Sequence, residues 1–139
     1  MKTKKENISK IYWAGAYISF GLSFLGLELI ALLNGITPDN TNFQKNFRLL
    51  ILAIYLIAGF IGGLLVVEKS SIYWFQGGLF SGIIAYIIDQ IVHAALYGWT
   101  FVGNVLIMAT LIGGSLLGAA TQEYTDFTVF IKSYFIKNK

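Results

Sequence analysis

Two acidic residues stand out because each lies inside an otherwise apolar stretch of the chain. Glu28 lies late in the run that begins at Ile11, and Asp89 lies late in the run that begins at Tyr73. An ionised carboxylate in lipid is costly unless a partner or water stabilises it, so such residues mark proton or cation pathways by default. Two carboxylates that approach closely can also share one proton.

Three further polar residues could complete a site with these two acids. His93 follows Asp89 by four residues, which places both side chains on one helix face. Arg48 opens the second apolar run and Asn104 lies early in the fourth. We expect the five residues to form one polar layer. The structural alternative is that Glu28 pairs with Arg48, while Asp89 and His93 reach surface water or each other.

The chain offers few groups for other chemistry. It contains no cysteine and one histidine, so we expect no metal site and no cofactor. No metalloprotease, nucleophile-elbow or phosphate-loop motif is present, and we therefore expect no catalytic residues and no enzymatic activity. The few N-terminal lysines do not indicate nucleic-acid binding.

Four apolar runs must position these residues. Hydrophobic residues make up 56% of the 139 and charged residues only 12%, against roughly a quarter charged in soluble domains. A bilayer core of about 30 Å needs about 20 apolar residues in a helix, and the runs cover residues 11–33, 49–67, 73–95 and 101–120. We predict an all-α integral membrane protein with a single four-helix transmembrane domain over residues 1–120. The longest connection, 34–48, contains the only proline and predicts a solvated turn.

The basic residues predict the orientation of these spans. Only Lys45 and Arg48 flank the spans on one side. The other side carries eight lysines: Lys2, Lys4, Lys5, Lys10, Lys69, Lys132, Lys137 and Lys139. Because cytoplasmic flanks are enriched in lysine and arginine, we predict a multi-pass protein of the cell membrane with both termini in the cytoplasm and the lipid bilayer as its surroundings.

The segment 121–139 has a helical apolar pattern of its own. Its aromatic and aliphatic residues recur at spacings of three and four: Phe127, Phe130, Ile131, Tyr134 and Phe135. This pattern predicts a cytoplasmic amphipathic tail that lies on the membrane surface. The alternative is a helix that docks on a partner protein.

The spans also suggest an internal duplication. Residues 11–13 and 72–74 both read Ile-Tyr-Trp, and the same offset of 61 pairs Glu28 with Asp89. The second helices align at an offset of 51, which gives repeat units 9–68 and 70–120. Each unit is a helical hairpin with two spans, so the two tandem units are parallel repeats. This relation predicts that the two acids lie at equal depth.

Glycines occur at helix-packing spacing in three of the spans. Each GxxxG pair lets two backbones approach closely in lipid, and the pairs are Gly59 with Gly63, Gly78 with Gly82, and Gly114 with Gly118. They could serve contacts within one bundle or contacts between chains. Since such pairs are this frequent, they favour a homo-oligomer or a membrane-protein partner.

Two functions are compatible with these patterns. The first is an accessory or assembly subunit, or a self-associating scaffold, that acts through helix–helix association. The second is a minimal dimeric transporter or channel in which Glu28 and Asp89 couple proton or cation movement.

Overall fold

The structure is a computed structural model that describes residues 2–68, 72–98 and 105–137, with side chains described except at residues 2–8, 127 and 128. The described residues form six helices and no strand. The helices are α1 (Lys2–Leu33), α2 (Thr41–Asn46), α3 (Arg48–Glu68), α4 (Trp74–Tyr97), α5 (Val105–Thr125) and α6 (Phe127–Lys137).

Four of these helices are long and apolar enough to cross a membrane, in agreement with the four apolar spans that the sequence predicts. Their apolar segments have mean hydropathies of 1.6 to 2.7 and comprise Ser9–Leu33, Arg48–Glu68, Trp74–Tyr97 and Val105–Thr125. In lipid a helix satisfies its backbone hydrogen bonds internally, so an apolar run of this length has few alternatives. The last of the four, α5, continues to Thr125, beyond the expected end at residue 120. Its expected start at residue 101 lies outside the described residues.

Contacts between helices define the two ends of the bundle. Gly26 lies against Ile54 and Gly15 lies against Gly62, so α1 and α3 run antiparallel. Tyr12 contacts Phe80 and Phe24 contacts His93, so α1 and α4 run parallel. We call the end that holds residues 34–47 the loop end, and the end at which α1 begins and α3 finishes the terminal end.

The tightest contact joins α3 and α5, where glycines on each helix meet backbone carbonyls of the other. A methyl group at any of these positions would overlap a carbonyl oxygen of the facing helix. Gly59 and Gly63 face Leu111 and Ser115, while Gly114 and Gly118 face Leu56 and Phe60. The two helices therefore meet backbone to backbone, as small residues permit in membrane bundles.

The remaining GxxxG pair also makes its contact inside the bundle. A Cβ atom at Gly78 would lie 2.9 Å from the carbonyl oxygen of Ser115, and one at Gly82 would lie 2.9 Å from Cα of Ile112. These contacts join α4 to α5. All three predicted glycine pairs thus serve helix packing within one chain.

The connection between α1 and α3 is more than the solvated turn that its polarity predicts. Asn40 caps α2, because its Oδ1 accepts hydrogen bonds from the backbone N–H groups of Asn42 (2.9 Å) and Phe43 (3.2 Å). This cap turns Phe43 inward, where only 1% of it is exposed and it packs with Leu27 and Ala31. Phe43 thus packs into the core from the loop end, and the Phe47 ring lies against it with centroids 5.2 Å apart.

The helix α6 is set off from the bundle by Asp126, whose φ angle is 43°. Its backbone contacts α5, and its side chains from Val129 to Lys137 are exposed. One ion pair links it to α3, with 3.7 Å between Lys132 Nζ and Glu68 Oε1.

Candidate intramembrane polar site

Asp89 is the centre of a buried polar cluster between α3 and α4. Its side chain is fully buried, and its carboxylate accepts hydrogen bonds from Tyr55 and Gln90. The Tyr55 hydroxyl on α3 lies 3.1 and 3.2 Å from the two carboxylate oxygens, and Gln90 Nε2 lies 3.3 Å from Oδ2. The carboxylate is therefore held from a second helix as well as from its own.

His93 lies one helical turn further toward the loop end and is also fully buried. Its Nδ1 is 3.2 Å from Asp89 Oδ1 and 2.8 Å from the Asp89 carbonyl oxygen. Because both neighbours are acceptors, we assign the proton to Nδ1. The ring lies between Phe24, with centroids 5.7 Å apart, and Tyr97, with centroids 6.0 Å apart.

Tyr97 extends this series to α1. Its hydroxyl donates a hydrogen bond to the Glu28 carboxylate, and both residues are partly exposed. Asp89, His93 and Tyr97 follow one another at intervals of four residues and share one face of α4. Ionisable and hydroxyl groups therefore follow this face of α4 from the buried carboxylate of Asp89 toward Glu28 near the loop end.

The chemistry of this row is acid–base chemistry. A buried carboxylate is tolerated when donors satisfy its oxygens and an opposite charge is near. Tyr55 and Gln90 supply donors, and a protonated His93 would neutralise the charge of Asp89. Carboxylate and imidazole side chains are groups that occur in the proton relays of membrane proteins.

The structure brings some of the five predicted residues together and separates others. Asp89 and His93 are in direct contact. Glu28 contacts Tyr97, eight residues beyond Asp89, and Gly15 contacts Ser81, so Glu28 lies about 7–12 Å closer to the loop end than Asp89. The prediction of equal depth is therefore wrong, because α1 and α4 pack with a shift of about one and a half to two turns relative to the repeat alignment.

The two remaining predicted residues are not in this cluster. Arg48 is exposed, and the described part of the chain contains no ion pair between it and Glu28. Arg48 and Glu28 therefore do not form the ion pair that the alternative arrangement predicts. Asn104 lies outside the described residues.

Sequence reasoning missed Tyr55, Gln90 and Tyr97. Tyr55 is the only residue with a polar side chain between residues 49 and 67, and a buried tyrosine hydroxyl usually has a hydrogen-bond partner. Tyr97 continues the spacing of Asp89 and His93 by one more turn. Both signals were present in the sequence, although neither identifies the partner.

The described residues contain no group of three or more histidine, aspartate or glutamate side chains that could hold a metal ion. In comparisons with known proteins, no family model, no curated protein and no solved structure matches the chain. The class that the fold defines is an all-helical protein with four helices able to span a membrane, and the buried polar row is its distinctive feature.

Proposed function

We propose that this protein is a small proton- or cation-coupled transporter or channel of the cell membrane, with Asp89 as its ion-binding carboxylate. One observation carries the proposal: a fully buried aspartate on a membrane helix contacts His93, and the His93 ring lies against Tyr97, which is hydrogen-bonded to Glu28 near the loop end. Intramembrane ionisable residues are expensive, and they occur chiefly where ions or protons pass.

The proposal includes an orientation. Eight lysines at the terminal end and its flanking segments, against Lys45 and Arg48 near the loop end, support cytoplasmic termini. Glu28 would then lie near the outer surface. The exposed apolar residues of α6, among them Phe130, Tyr134 and Phe135, support its placement on the cytoplasmic membrane surface.

The proposal also keeps the internal duplication, with a different register. The contacts of α3 and α5 are reciprocal: Gly59 meets Leu111, and Gly114 meets Leu56 in the same way. Gly59 is thus equivalent to Gly114 and Gly63 to Gly118, at an offset of 55 residues. Two parallel helices that contact each other through equivalent glycines support a relation between the two hairpins by a two-fold axis along the membrane normal. The sequence alignment at an offset of 51 is one helical turn away from this pairing.

Association with another chain is the second candidate. The GxxxG pairs do not argue for it, since their contacts lie within the bundle. Two other glycines do: Gly21 on α1 and Gly113 on α5 have no atom within 4 Å of where a Cβ would be. These outward positions could admit a helix of a second copy. Crosslinking of single cysteines introduced at either position would report such a dimer, and its absence would count against this candidate.

The test of transport uses purified protein in proteoliposomes that contain a pH-sensitive dye. A potassium gradient with valinomycin imposes a membrane potential, and internal acidification reports proton entry. We expect the wild type to conduct, Asp89→Asn to lose the flux, and Glu123→Gln to retain it, because Glu123 is exposed near the end of α5. Wild-type liposomes that move neither protons nor any cation in a panel would refute the proposal.

A further inference from the structure

A lateral cleft lies between α1 and α3 near the terminal end, and its volume is about 230 Å³. Five residues of α1 and one of α3 line it: Lys10, Ile11, Ala14, Gly15, Ile18 and Leu65. Lys10, Ala14 and Ile18 are exposed and follow one another at intervals of four residues. The cleft is therefore open along the outer face of α1.

A close contact of α1 with α3 forms the floor of the cleft. Gly15 is buried, and a Cβ at this position would lie 3.0 Å from the carbonyl oxygen of Gly62. The cleft stops at this contact, and none of its lining residues belongs to the polar site around Asp89. It is thus a second site, separate from the one described above.

The walls of the cleft suit a hydrocarbon chain. Apart from Lys10 they are apolar, and apolar cavities stay dry. The volume is also below the roughly 300–1,000 Å³ of pockets that enclose a drug-sized ligand. A single acyl chain is narrow and flexible, so it fits a small cleft that is open along one side.

The depth of the cleft corresponds to one leaflet of a bilayer. The apolar segment of α1 begins at Ser9, so Lys10 lies at the level of the lipid headgroups, and Ile18 lies about 12 Å deeper. Gly21 follows on the same face and has no atom within 4 Å of where a Cβ would be. It extends the open path to about 16 Å from Lys10, close to half of a bilayer core of about 30 Å.

The charge at the mouth of the cleft favours an anionic headgroup. Lys10 is exposed, and an ammonium group donates charge-assisted hydrogen bonds to phosphate oxygens. Glu68, three residues beyond Leu65 on α3, carries the opposite charge, but Lys132 Nζ lies 3.7 Å from its Oε1 and compensates it. In the proposed orientation this end faces the cytoplasmic leaflet, which holds anionic lipids.

We propose that the cleft binds one anionic phospholipid, with its phosphate at Lys10 and one acyl chain along Ala14 and Ile18 toward Gly21. Apolar walls, the depth of one leaflet and a cation at headgroup level are together what such a ligand requires. A second copy of the chain fits less well. A symmetric dimer through this face would bring two Lys10 side chains together, and like charges repel.

The first test measures lipid binding to the full chain in detergent micelles by native mass spectrometry. Phosphatidylglycerol and phosphatidylcholine, each with two oleoyl chains, are titrated separately, and we expect tighter binding of phosphatidylglycerol. Lys10→Gln should lower the affinity for phosphatidylglycerol about fivefold, as expected for one lysine near anionic lipid. Lys137→Gln removes the same charge from the exposed end of α6 and should match the wild type. Equal affinities in Lys10→Gln and the wild type would overturn the assignment of the headgroup.

The second test fills the cleft. Ala14→Phe places a ring in the open part of the cleft, away from the α1–α3 contact, and should remove the bound lipid whatever its headgroup. Ala95→Phe makes the same change at an exposed position on α4 and should retain the lipid. Circular dichroism verifies that both variants are folded. Wild-type binding in Ala14→Phe, or loss of a dimer in place of a lipid, would refute the cleft as an acyl-chain site.

The third test locates the lipid within the full chain in phosphatidylcholine liposomes. Phosphatidylglycerol with a diazirine in one acyl chain is activated by light, and the labelled residues are identified by mass spectrometry. We expect stronger labelling of Ala14 and Ile18 than of Leu29 and Ile57, which are exposed elsewhere on α1 and α3. Equal labelling of these positions would show only the surrounding bilayer and refute a specific site. None of the three tests involves transport, so their outcome is independent of the proposed function.

Discussion

Replacement of Gly118 by alanine tests the α3–α5 contact on which the bundle is built. The new methyl group would overlap the carbonyl oxygen of Phe60 and lie 2.7 Å from its carbonyl carbon and 2.9 Å from its Cα. Non-bonded carbon atoms prefer about 3.5–4.0 Å, so the two helices must separate by roughly 1 Å. The contacted atoms belong to the backbone, and no side-chain rotation can relieve the overlap.

The energetic cost follows from this geometry. Overpacking of this kind costs about 1–3 kcal/mol, while alanine gains up to about 1 kcal/mol in helix propensity over glycine. Gly113 in the same helix is the matched control, because nothing lies within 4 Å of its hypothetical Cβ. Gly113→Ala has the same gain in propensity without the overlap. The difference in the free energy of unfolding between the two variants therefore isolates the steric cost. We expect this free energy to be lower for Gly118→Ala than for Gly113→Ala by about 1–3 kcal/mol.

The assay is unfolding in mild detergent micelles by titration with sodium dodecyl sulfate, followed by tryptophan fluorescence and circular dichroism. Equal midpoints for Gly118→Ala and Gly113→Ala would refute the close approach of α3 and α5. A different failure is also informative: if Gly118→Ala changes the size of the particle but not the stability of the monomer, the glycine belongs to a contact between chains.

Three further predictions concern single contacts and topology. Tyr55→Phe removes a hydroxyl donor from the buried carboxylate and should lower the free energy of unfolding by about 1.5–3 kcal/mol in the same titration; an unchanged midpoint would mean that the bond is not formed. Lys132→Ala should change stability by less than about 1 kcal/mol, because its partner Glu68 is partly exposed and the lysine is 73% exposed; a larger loss would show that α6 is anchored to α3. Since the chain lacks cysteine, Asn42→Cys should react with an impermeant maleimide in intact cells and Lys137→Cys only after lysis, and the reverse pattern would invert the proposed orientation.

The number and helical state of the apolar segments were predictable because they depend on local properties. An apolar run in lipid has to satisfy its backbone hydrogen bonds within itself. The contact of Asp89 with His93 was predictable for the same reason, since residues four apart in a helix are neighbours whatever surrounds them.

The partners of Asp89 and Glu28 across helices were not predictable in this way. The rotation of α3 about its axis brings Tyr55 to Asp89, and the axial shift between α1 and α4 brings Glu28 to Tyr97. Both contacts depend on how one helix backbone packs against another at the glycines. A change of one helical turn in this packing would separate the partners. The repeat alignment does not supply this, because it pairs α1 with α4 at an offset of 61 residues, whereas Glu28 contacts a residue 69 positions further along the chain.

The sequence by itself thus determined that the chain forms four apolar helices and that Asp89 and His93 share a face. Only the tertiary structure decided that Tyr55 contacts the carboxylate, that Phe43 is buried at the loop end, and that the glycine pairs serve contacts within one chain. The physical reason is that helix formation in lipid is a local matter of backbone hydrogen bonding. Helix rotation and register instead follow from steric contacts between residues far apart in the chain.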